Sequence, residues 1–254
     1  MVLPRTPSFR LENKRALVTG GTRGIGFAAA VALAEAGAAV TIAARTTADV
    51  QRVADEMAAA GFTADGVAID ISDHRATGMF VADSEPFDVL VNSAGMARHS
   101  TLADITPTDY QAVMDLNVAA TLFVSQAVAG RLIALGRPGS IINISSQMGH
   151  VSGPRRVVYS ASKFAVEGLT RGLAIELAPH AIRVNTVCPT FIDTEFNARY
   201  LGDEGFRDWI LSKIKLGRIG RVEDIMGPVV FLASDAAALM TGSSLMVDGG
   251  WTAE

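Results

Sequence analysis

The sequence predicts an α/β domain built on one parallel sheet of about seven strands, with helices on both faces. Three observations support this prediction. Short apolar runs alternate with longer helical patterns along the chain. The apolar runs are continuous, which is typical of strands covered on both faces. The 254 residues are 49% hydrophobic and 19% charged, so one domain can bury a large core.

The predicted strands and helices follow one another as strand–helix–strand units. Arg15–Thr19 is the first strand, and the Ala-rich stretch Gly24–Ala36 is the first helix. Ala39–Ala44 and Thr47–Ala60 form the next pair, and a glycine follows each of the two helices. Short links between such units imply right-handed crossovers and parallel strands. The remaining predicted strands are Thr63–Ile69, Phe87–Asn92, Ser140–Ile144, Ile182–Val187 and Ser244–Val247.

We expect residues 1–254 to form a single domain, because no linker and no fixed-period repeat interrupts the pattern. One segment differs from the rest. Residues 190–218 mix aromatic, charged and glycine residues, and we expect this segment to be a loop–helix insertion that acts as a lid over a substrate.

Composition argues against several classes of protein. The net charge of −4 gives no basic surface for nucleic acid, and we expect no apolar run of the ~18 residues that span a membrane. The stretch Met1–Leu11 lacks the apolar run of a secretory signal. The chain has one cysteine, Cys188, which fits a reducing compartment. We therefore expect a cytoplasmic protein without nucleic-acid or membrane partners.

A glycine-rich turn connects the first strand to the first helix. It has the spacing G-x3-G-x-G, and its glycines allow the backbone to approach a pyrophosphate closely. The helix that follows offers free N–H groups and a favourable dipole to the same phosphates. The sequence therefore predicts a dinucleotide site here. The predicted contacts are Gly20, Thr22, Arg23, Gly24, Ile25 and Gly26.

The end of the second strand bears on the choice of nicotinamide cofactor. An acidic residue at this position binds the ribose hydroxyls of NAD, whereas an arginine accommodates the 2′-phosphate of NADP. This chain has Ala44 and then Arg45, with Arg23 across the turn. We therefore expect NADP(H) to be preferred, with NAD(H) also usable.

A second group of polar residues precedes and opens a strongly helical stretch. Tyr159 and Lys163 are four residues apart, so they lie on one face of a helix. Tyrosine has a pKa near 10, and a neighbouring ammonium favours the phenolate. Such a pair can exchange a proton with a substrate, although the same spacing is common in surface pairs.

These segments together resemble the short-chain dehydrogenase/reductase family, from about Leu11 to Gly250. The matching motifs are TGGTRGIG in the glycine turn, NSAG at Asn92–Gly95, the asparagine of LNV, Ser146 with twelve residues between it and the tyrosine, and YSASK at Tyr159–Lys163. The resemblance implies a Rossmann-like, doubly wound sheet and a nicotinamide-dependent oxidoreductase. It also implies a homotetramer, which the high apolar content supports.

The resemblance implies a role for each matching residue. Tyr159 would exchange the proton with the alcohol or ketone oxygen, and Ser146 would orient that oxygen. Lys163 would bind the nicotinamide ribose and lower the pKa of Tyr159, while Asn117 would hold a water that links Lys163 to solvent. Further cofactor contacts would come from Asp70, Ile71, Asn92, Ala94, Gly95, Pro189, Ile192 and Thr194. The chain departs from the family at Thr190, where glycine is usual.

The other chemically interesting residues give no clear site. The four histidines lack metal-ligand spacing and an obvious carboxylate partner, so we predict no metal site and regard them as surface or loop residues. Of these, His99 and His150 are candidates for lining a pocket. Cys188 is expected to be an inert buried thiol, and Trp209 either covers the substrate or packs the lid.

Three functions follow from these residues. The first is hydride transfer between a nicotinamide cofactor and the alcohol or ketone group of a sugar, sugar acid or polyol, because the sequence is similar to family members such as gluconate 5-dehydrogenases. The second is reduction of 3-oxoacyl-[acyl carrier protein], for which Arg98, Arg155 and Arg156 would supply the basic patch. The third is a non-catalytic cofactor sensor, which would be expected to lack the tyrosine or the lysine.

Overall fold

Seven parallel strands form the centre of the molecule in a computed structural model that describes residues 3–253, without the side chains of residues 199–201. Their order across the sheet is β3-β2-β1-β4-β5-β6-β7. β2 and β3 therefore lie on one side of β1, and β4 to β7 lie on the other. This reversal of strand order creates a crevice at the carboxyl ends of β1 and β4. The strands are β1 (Arg15–Thr19), β2 (Ala39–Ala44), β3 (Ala64–Ala68), β4 (Val89–Asn92), β5 (Gly139–Ile144), β6 (Ile182–Pro189) and β7 (Ser244–Val247).

Helices cover both faces of this sheet, as predicted. Val18 and Ile42 point to one apolar cluster, which α1, α2 and α9 complete, while Leu17 and Leu90 point to the opposite cluster under α3, α5 and α6. Adjacent strand residues face opposite sides, so one strand feeds both cores. The helices are α1 (Gly24–Glu35), α2 (Thr47–Ala59), α3 (His74–Asp83), α4 (Pro107–Met114), α5 (Ala120–Ala134), α6 (Val157–Leu177), α7 (Glu195–Leu201), α8 (Glu204–Lys213) and α9 (Glu223–Ala233).

The predicted boundaries differ from the observed ones by one or two residues. Helices α1 and α2 each end one residue before the predicted end, and Gly37 and Gly61 follow with φ values of +106° and +88°. Glycine adopts this left-handed backbone without strain, so it stops the helix. β3 is shorter than predicted and is the least buried of the first three strands, because it forms an edge of the sheet.

The stretch between β4 and β5 contains helices that the sequence prediction lacks. Pro107–Ala134 is a 28-residue helical run whose most apolar 18-residue window has a mean hydropathy of 1.5 and is 44% buried. By length and composition this run is apolar enough to cross a membrane, which the expectation of no such run did not allow for, and the core helices of globular proteins meet the same test. Its buried residues, which include Val124 and Leu132, pack against the sheet. A π turn at Asp115–Ala119 separates α4 from α5 within this run.

Residues 190–218 form two short helices, α7 and α8, after β6. A bridge between Ile192 and Gly220 closes the base of this segment. Its aromatic residues pack on one another: Trp209 stacks on Phe206 and meets Trp251 edge to face, each at 5.4 Å between ring centroids. The aromatic content that distinguished this segment in the sequence therefore forms a small core of its own.

Candidate active site

A cavity of about 500 Å³ lies at the carboxyl ends of the central strands, in the crevice beside β1. Its volume is typical of sites for cofactors and small substrates. Its wall is formed by the turn and helix start after β1, by the end of β2, and by the loops after β4, β5 and β6. The cavity therefore contains residues from both groups that the sequence analysis singled out.

The glycine turn has the shape of a phosphate cradle. Gly20 and Gly24 have φ values of +67° and +53°, which other residues rarely adopt. A Cβ atom at Gly26 would collide with the carbonyl oxygen of Gly20, and one at Gly20 would lie 2.9 Å from the Cα atom of Ala94. Helix α1 begins at Gly24 without a side-chain cap on its N–H groups. Its open N-terminus thus points into a space that only glycines leave free, which fits a pyrophosphate.

All six residues predicted in the glycine turn line the cavity: Gly20, Thr22, Arg23, Gly24, Ile25 and Gly26. The Arg23 guanidinium lies 3.8 Å from the Glu195 carboxylate on α7, and both side chains are exposed. Arg23 therefore has a weak partner in the segment above the turn, which the sequence did not reveal.

The end of β2 brings further cations to the same wall. Ala44 and Arg45 line the cavity, as predicted, and so do Thr46 and Arg52. Arg52 lies in α2 and contacts Glu56 at 3.1 Å. The sequence analysis missed Arg52 because it lies a turn inside a helix, where an arginine followed four residues later by a glutamate is typical of a solvated pair.

Most of the remaining predicted cofactor residues also line the cavity. Asp70, Ile71, Ala94, Gly95, Pro189 and Thr194 belong to this set. Gly95 is required by space, because a Cβ atom there would lie 3.2 Å from the side-chain oxygen of Asn117. The Thr19 hydroxyl accepts hydrogen bonds from the Ser93 and Ala94 amides and holds this loop beside β1.

Two predicted contact residues do not line the cavity. The amide of Asn92 is buried and donates to Ser125 and Asn143, each at 2.9 Å, so it ties β4 to β5 and α5. The Ile192 side chain is 1% exposed and belongs to the core under α9. Their direct contact with a cofactor stays a prediction, and the contacts that the structure gives them are supporting ones.

Tyr159 and Lys163 lie on the first turns of α6, with the Lys163 ammonium 5.8 Å from the centre of the tyrosine ring. The ammonium donates a hydrogen bond of 2.8 Å to the Ile144 carbonyl oxygen at the end of β5. Burial lowers the pKa of Lys163 to about 8, against the opposing charges of Cys188 and Glu167. The lysine is thus anchored to the sheet and, although its pKa is lowered, remains mostly protonated at neutral pH.

The environment of Tyr159 differs from the expectation in one respect. Burial raises the pKa of Tyr159, and the two groups that oppose this effect are the Ser146 hydroxyl and the positive charge of Arg156. The sequence predicted Lys163 as the opposing charge. Lys163 is itself desolvated and directed at the Ile144 carbonyl oxygen, and Arg156 supplies the charge that lowers the pKa of Tyr159.

Ser146 lies immediately after β5 and caps a short helical turn. Its hydroxyl accepts a hydrogen bond from the Met148 amide and donates to the Gln147 side-chain oxygen at 2.7 Å. Its side chain is buried beside Tyr159, so both hydroxyls face the same part of the cavity. A carbonyl oxygen placed there could accept from both.

Asn117 lies in the π turn between α4 and α5 and is 1% exposed. Its side chain makes two hydrogen bonds with the Met96 backbone, at 2.8 and 2.9 Å, and donates to the Ser162 hydroxyl at 3.0 Å. It does not line the cavity itself. It joins the loop after β4 to α6, and π turns of this kind are frequent at functional sites.

Three polar side chains surround Tyr159 on the side away from the glycine turn. His99 meets the Tyr159 ring edge to face at 5.9 Å, and Gln147 lines the cavity nearby. Arg156 is only 4% exposed, and its guanidinium lies over the rings of Phe191 and Phe206 at 5.0 and 5.3 Å. The sequence suggested Arg156 only as part of a basic patch for a carrier protein, because its burial depends on aromatic residues more than thirty positions away.

His150 differs from its predicted surroundings. It does not line this cavity, and its ring lies 3.6 Å from the buried carboxylate of Glu167 on α6. This carboxylate partner could not be predicted from the sequence, because Glu167 comes one helical turn after Lys163 and reaches His150 only through the packing of α6 on β6. Cys188 is fully buried, as expected, and also contacts Glu167.

Comparison with known proteins places the chain among oxidoreductases. A family model described as enoyl-(acyl carrier protein) reductase matches residues 20–252. The chain is 40% identical to D-erythrulose reductase of Gallus gallus over 245 residues, which cover 96% of this chain and 98% of the relative. It is 38% identical to gluconate 5-dehydrogenase of Gluconobacter oxydans over 248 residues, with 96% of each chain covered.

A solved structure agrees closely with this one. Gluconate 5-dehydrogenase of Burkholderia cenocepacia, in complex with NADP and tartrate, superimposes with a TM-score of 0.93 at 38% identity, and the match covers 97% of this chain and 98% of that one. The family model, these relatives and the shared fold lead to one conclusion. The chain belongs to the short-chain dehydrogenase/reductase family of nicotinamide-dependent oxidoreductases.

Proposed function

We propose that this protein transfers a hydride between NADP(H) and a small polyhydroxylated ketone or its alcohol: a sugar, sugar acid or polyol. The observation that carries the proposal is the polar wall around Tyr159, made of Ser146, Gln147, His99 and the buried Arg156. A substrate rich in hydroxyl or carboxylate groups can hydrogen-bond to such a wall, whereas an acyl chain cannot. The named relatives reduce or oxidise substrates of this kind.

The glycine turn and the loops after β2 to β6 would hold the dinucleotide. The open N-terminus of α1 fits the pyrophosphate, and Arg45 and Arg23 offer charge-assisted hydrogen bonds to a 2′-phosphate. Ala44 presents no negative charge to that phosphate. The cofactor, when bound, supplies or accepts the hydride at the substrate carbon.

The protein side chains would manage the proton. In reduction, Tyr159 donates its phenolic proton to the ketone oxygen while Ser146 donates a hydrogen bond to the same oxygen, and in oxidation the tyrosine takes the proton back. Arg156 and Lys163 stabilise the phenolate that forms in reduction. Asn117 holds the loop after β4 against α6 and is expected to fix the position of a water that reprotonates Lys163.

Arg156 favours substrates with a carboxylate. Its guanidinium is buried, lies 5.0 and 5.3 Å from the ring centres of Phe191 and Phe206, and lines the cavity, and a guanidinium can bind a carboxylate through two hydrogen bonds. A carrier-protein substrate would need the arginine at the surface. Arg98 is already engaged with Asp109 at 3.5 Å, and Arg155 is exposed on the outside of the loop.

A turnover screen tests the proposal. Keto-sugars, keto-sugar acids, polyols and 3-oxoacyl thioesters are compared by kcat/KM with each cofactor. We expect the sugar acids to be used best, and Arg156→Ala to lower kcat/KM for them at least about tenfold, as expected for a lost charged hydrogen bond. Arg155→Ala is the matched control, since this neighbour is exposed. Better turnover of 3-oxoacyl thioesters, or no turnover of any substrate, would contradict the proposal.

We further propose a cytoplasmic homotetramer in which residues 190–218 act as the lid. Large apolar residues are exposed on the outer faces of α5 and α6, and they would be covered by a second copy. Examples are Phe123, Ile133, Phe164 and Ile175. Sedimentation at micromolar concentration should give a tetramer or dimer, and a monomer alone would contradict this assembly.

A further inference from the structure

A cluster of three metal-ligating side chains lies beneath the active site and has no role in the proposed reaction. It consists of His150 from the turn after β5, Glu167 from the third turn of α6, and Cys188 from β6. Glu167 is 2% exposed and Cys188 is fully buried, while about a quarter of the His150 side chain is exposed. A buried carboxylate, a thiol and an imidazole are an unusual group to bring together, because each is costly to bury without a partner.

The three facing atoms have the spacing of ligands around one ion. The Cys188 Sγ atom lies 3.3 Å from Glu167 Oε1 and 3.5 Å from His150 Nε2, and the latter two atoms are 3.6 Å apart. Bond lengths to zinc of about 2.0–2.3 Å place tetrahedral ligands about 3.3–3.7 Å from one another. The triangle of atoms therefore matches one face of a zinc tetrahedron without any side-chain movement.

A second layer of hydrogen bonds orients the carboxylate. Its other oxygen, Glu167 Oε2, accepts from the Ser244 hydroxyl at 2.6 Å and from the Thr186 hydroxyl at 3.2 Å. Two hydroxyls thus hold one oxygen while the remaining oxygen faces the thiol and the imidazole. Supporting hydrogen bonds of this kind are typical of metal-binding carboxylates.

The Ser145 hydroxyl lies beside the thiol of the cluster. It is buried and interacts with the Cys188 thiol, and this contact lowers the pKa of that thiol against the larger effect of burial, which raises it to about 12. A Cβ atom on Gly149 would lie 3.0 Å from this hydroxyl and 3.1 Å from the Glu167 side chain, so the glycine leaves the space between them open.

We propose that His150, Glu167 and Cys188 bind one divalent ion of the zinc class directly behind Lys163. The thiol, imidazole and carboxylate donors suit zinc better than magnesium or calcium, which prefer oxygen ligands alone. Binding forms a bond from the metal to sulfur and releases the thiol proton to solvent, with no change in oxidation state. The exposed edge of His150 is the path of entry.

Titration calorimetry of the full chain, stripped with a chelator and free of substrate and cofactor, tests this proposal with Zn²⁺ alone and with Mg²⁺ alone. We expect one Zn²⁺ per chain and no comparable Mg²⁺ binding. His150→Gln and Cys188→Ser should weaken Zn²⁺ binding at least about tenfold. His180→Gln, a change of a histidine outside the cluster, is the matched control and should leave it unchanged.

Cobalt supplies a second measurement that depends on the thiol. Because Cys188 is the only cysteine, a sulfur-to-cobalt charge-transfer band on addition of Co²⁺ can come from this residue alone. We expect the band in the parent protein and its absence in Cys188→Ser. Lack of stoichiometric Zn²⁺ binding, or equal binding by His150→Gln and His180→Gln when both are folded by circular dichroism, would overturn the proposal. Neither measurement depends on turnover, so its outcome is independent of the proposed reaction.

Discussion

The two halves of the active-site cavity are built in different ways. The half around β1 and β2 consists of backbone and glycine positions, with charged side chains such as Arg23 and Arg45 at its exposed rim. The half around β5 and α6 consists of buried side chains, among them Ser146, Lys163 and Arg156, each 4–7% exposed. One half binds through the shape of the main chain, and the other through desolvated polar groups.

This difference has energetic consequences. An exposed charge at the rim is screened by water, so changing it shifts affinity modestly. A buried hydroxyl, ammonium or amide exerts its full effect, because water cannot replace it once it is removed. Substitutions in the β5–α6 half should therefore have larger effects than substitutions in the β1–β2 half, and the following experiments examine that ranking.

The largest effect is expected at Tyr159. Tyr159→Phe removes the proton donor without changing the packing of the ring, so kcat should fall by about two orders of magnitude or more. Cofactor affinity, measured by quenching of protein fluorescence, should stay within about twofold. Tyr110→Phe is the matched control, since Tyr110 is exposed on α4. Near-normal turnover of Tyr159→Phe would remove the tyrosine from the mechanism.

Asn117 tests whether a buried group that touches no ligand still matters. Asn117→Ala leaves the Met96 amide and carbonyl and the Ser162 hydroxyl without their partner. The free energy of unfolding in urea should fall by about 1–3 kcal/mol, the usual cost of unsatisfied buried groups. Asn197→Ala loses one hydrogen bond, to Ile192, and should cost less. Equal losses of unfolding free energy in the two variants would mean that the hydrogen bonds of Asn117 in the π turn contribute no more to stability than the single bond of Asn197.

The preference for NADP(H) over NAD(H) tests the contribution of the exposed charges in the half around β1 and β2. Arg45→Ala should lower the ratio of kcat/KM for NADP(H) to that for NAD(H) by about ten- to a hundredfold, corresponding to about 1.5–3 kcal/mol, with the lower end favoured by screening. Ala44→Asp should lower NADP(H) use through charge repulsion and improve NAD(H) use. Arg75→Ala, an exposed arginine on α3, serves as control. An unchanged ratio in Arg45→Ala would make Arg45 a surface charge only.

The smallest effect is expected outside both halves, at the end of the 190–218 segment. The Arg218 guanidinium donates hydrogen bonds of 2.7 and 2.8 Å to Asp224, and these bonds, with one from the Arg221 amide, lower the pKa of Asp224 to about 2. A depressed carboxyl pKa stabilises the fold above its unfolded value near 3.8, and this contribution is lost as pH falls towards 2.

Asp224→Asn should therefore lower Tm by only about 1–3 °C at neutral pH, because Arg218 is half exposed and the pair is screened. The difference between parent and variant should be constant above about pH 5 and shrink between pH 4 and 2. High salt should reduce it at neutral pH. A difference that grows on acidification would contradict the assignment of the low pKa to the folded state.

Local patterns in the sequence predicted much of this structure. The strands β1, β2 and β7 have the predicted bounds, because each is a short apolar run between turn residues. The glycine turn is equally local: its conformation depends on φ values that glycine alone adopts freely. The Tyr159–Lys163 pair follows from helical periodicity. These features depend on interactions between residues close in the chain, so they can be predicted without knowledge of the fold.

Other features depend on which distant elements meet. Asn92 sits where a cofactor contact was expected, yet its amide is directed to Ser125 and Asn143 across the sheet. Arg156 lines the cavity as a buried side chain because Phe191 and Phe206 from the 190–218 segment cover it. The order of the strands brings these groups together, and their side-chain directions follow from packing.

By itself, the sequence determined the fold class through its alternation of strand and helix patterns, and it determined the glycine turn and the position of Tyr159 and Lys163 on one helix face through a few successive residues. Only the tertiary structure decided the side chains that line the substrate half and the approach of His150, Glu167 and Cys188 to one another. These three residues come from a turn, a helix and a strand, separated by 17 and 21 positions. No periodicity links them, and their contacts exist because α6 packs on β6.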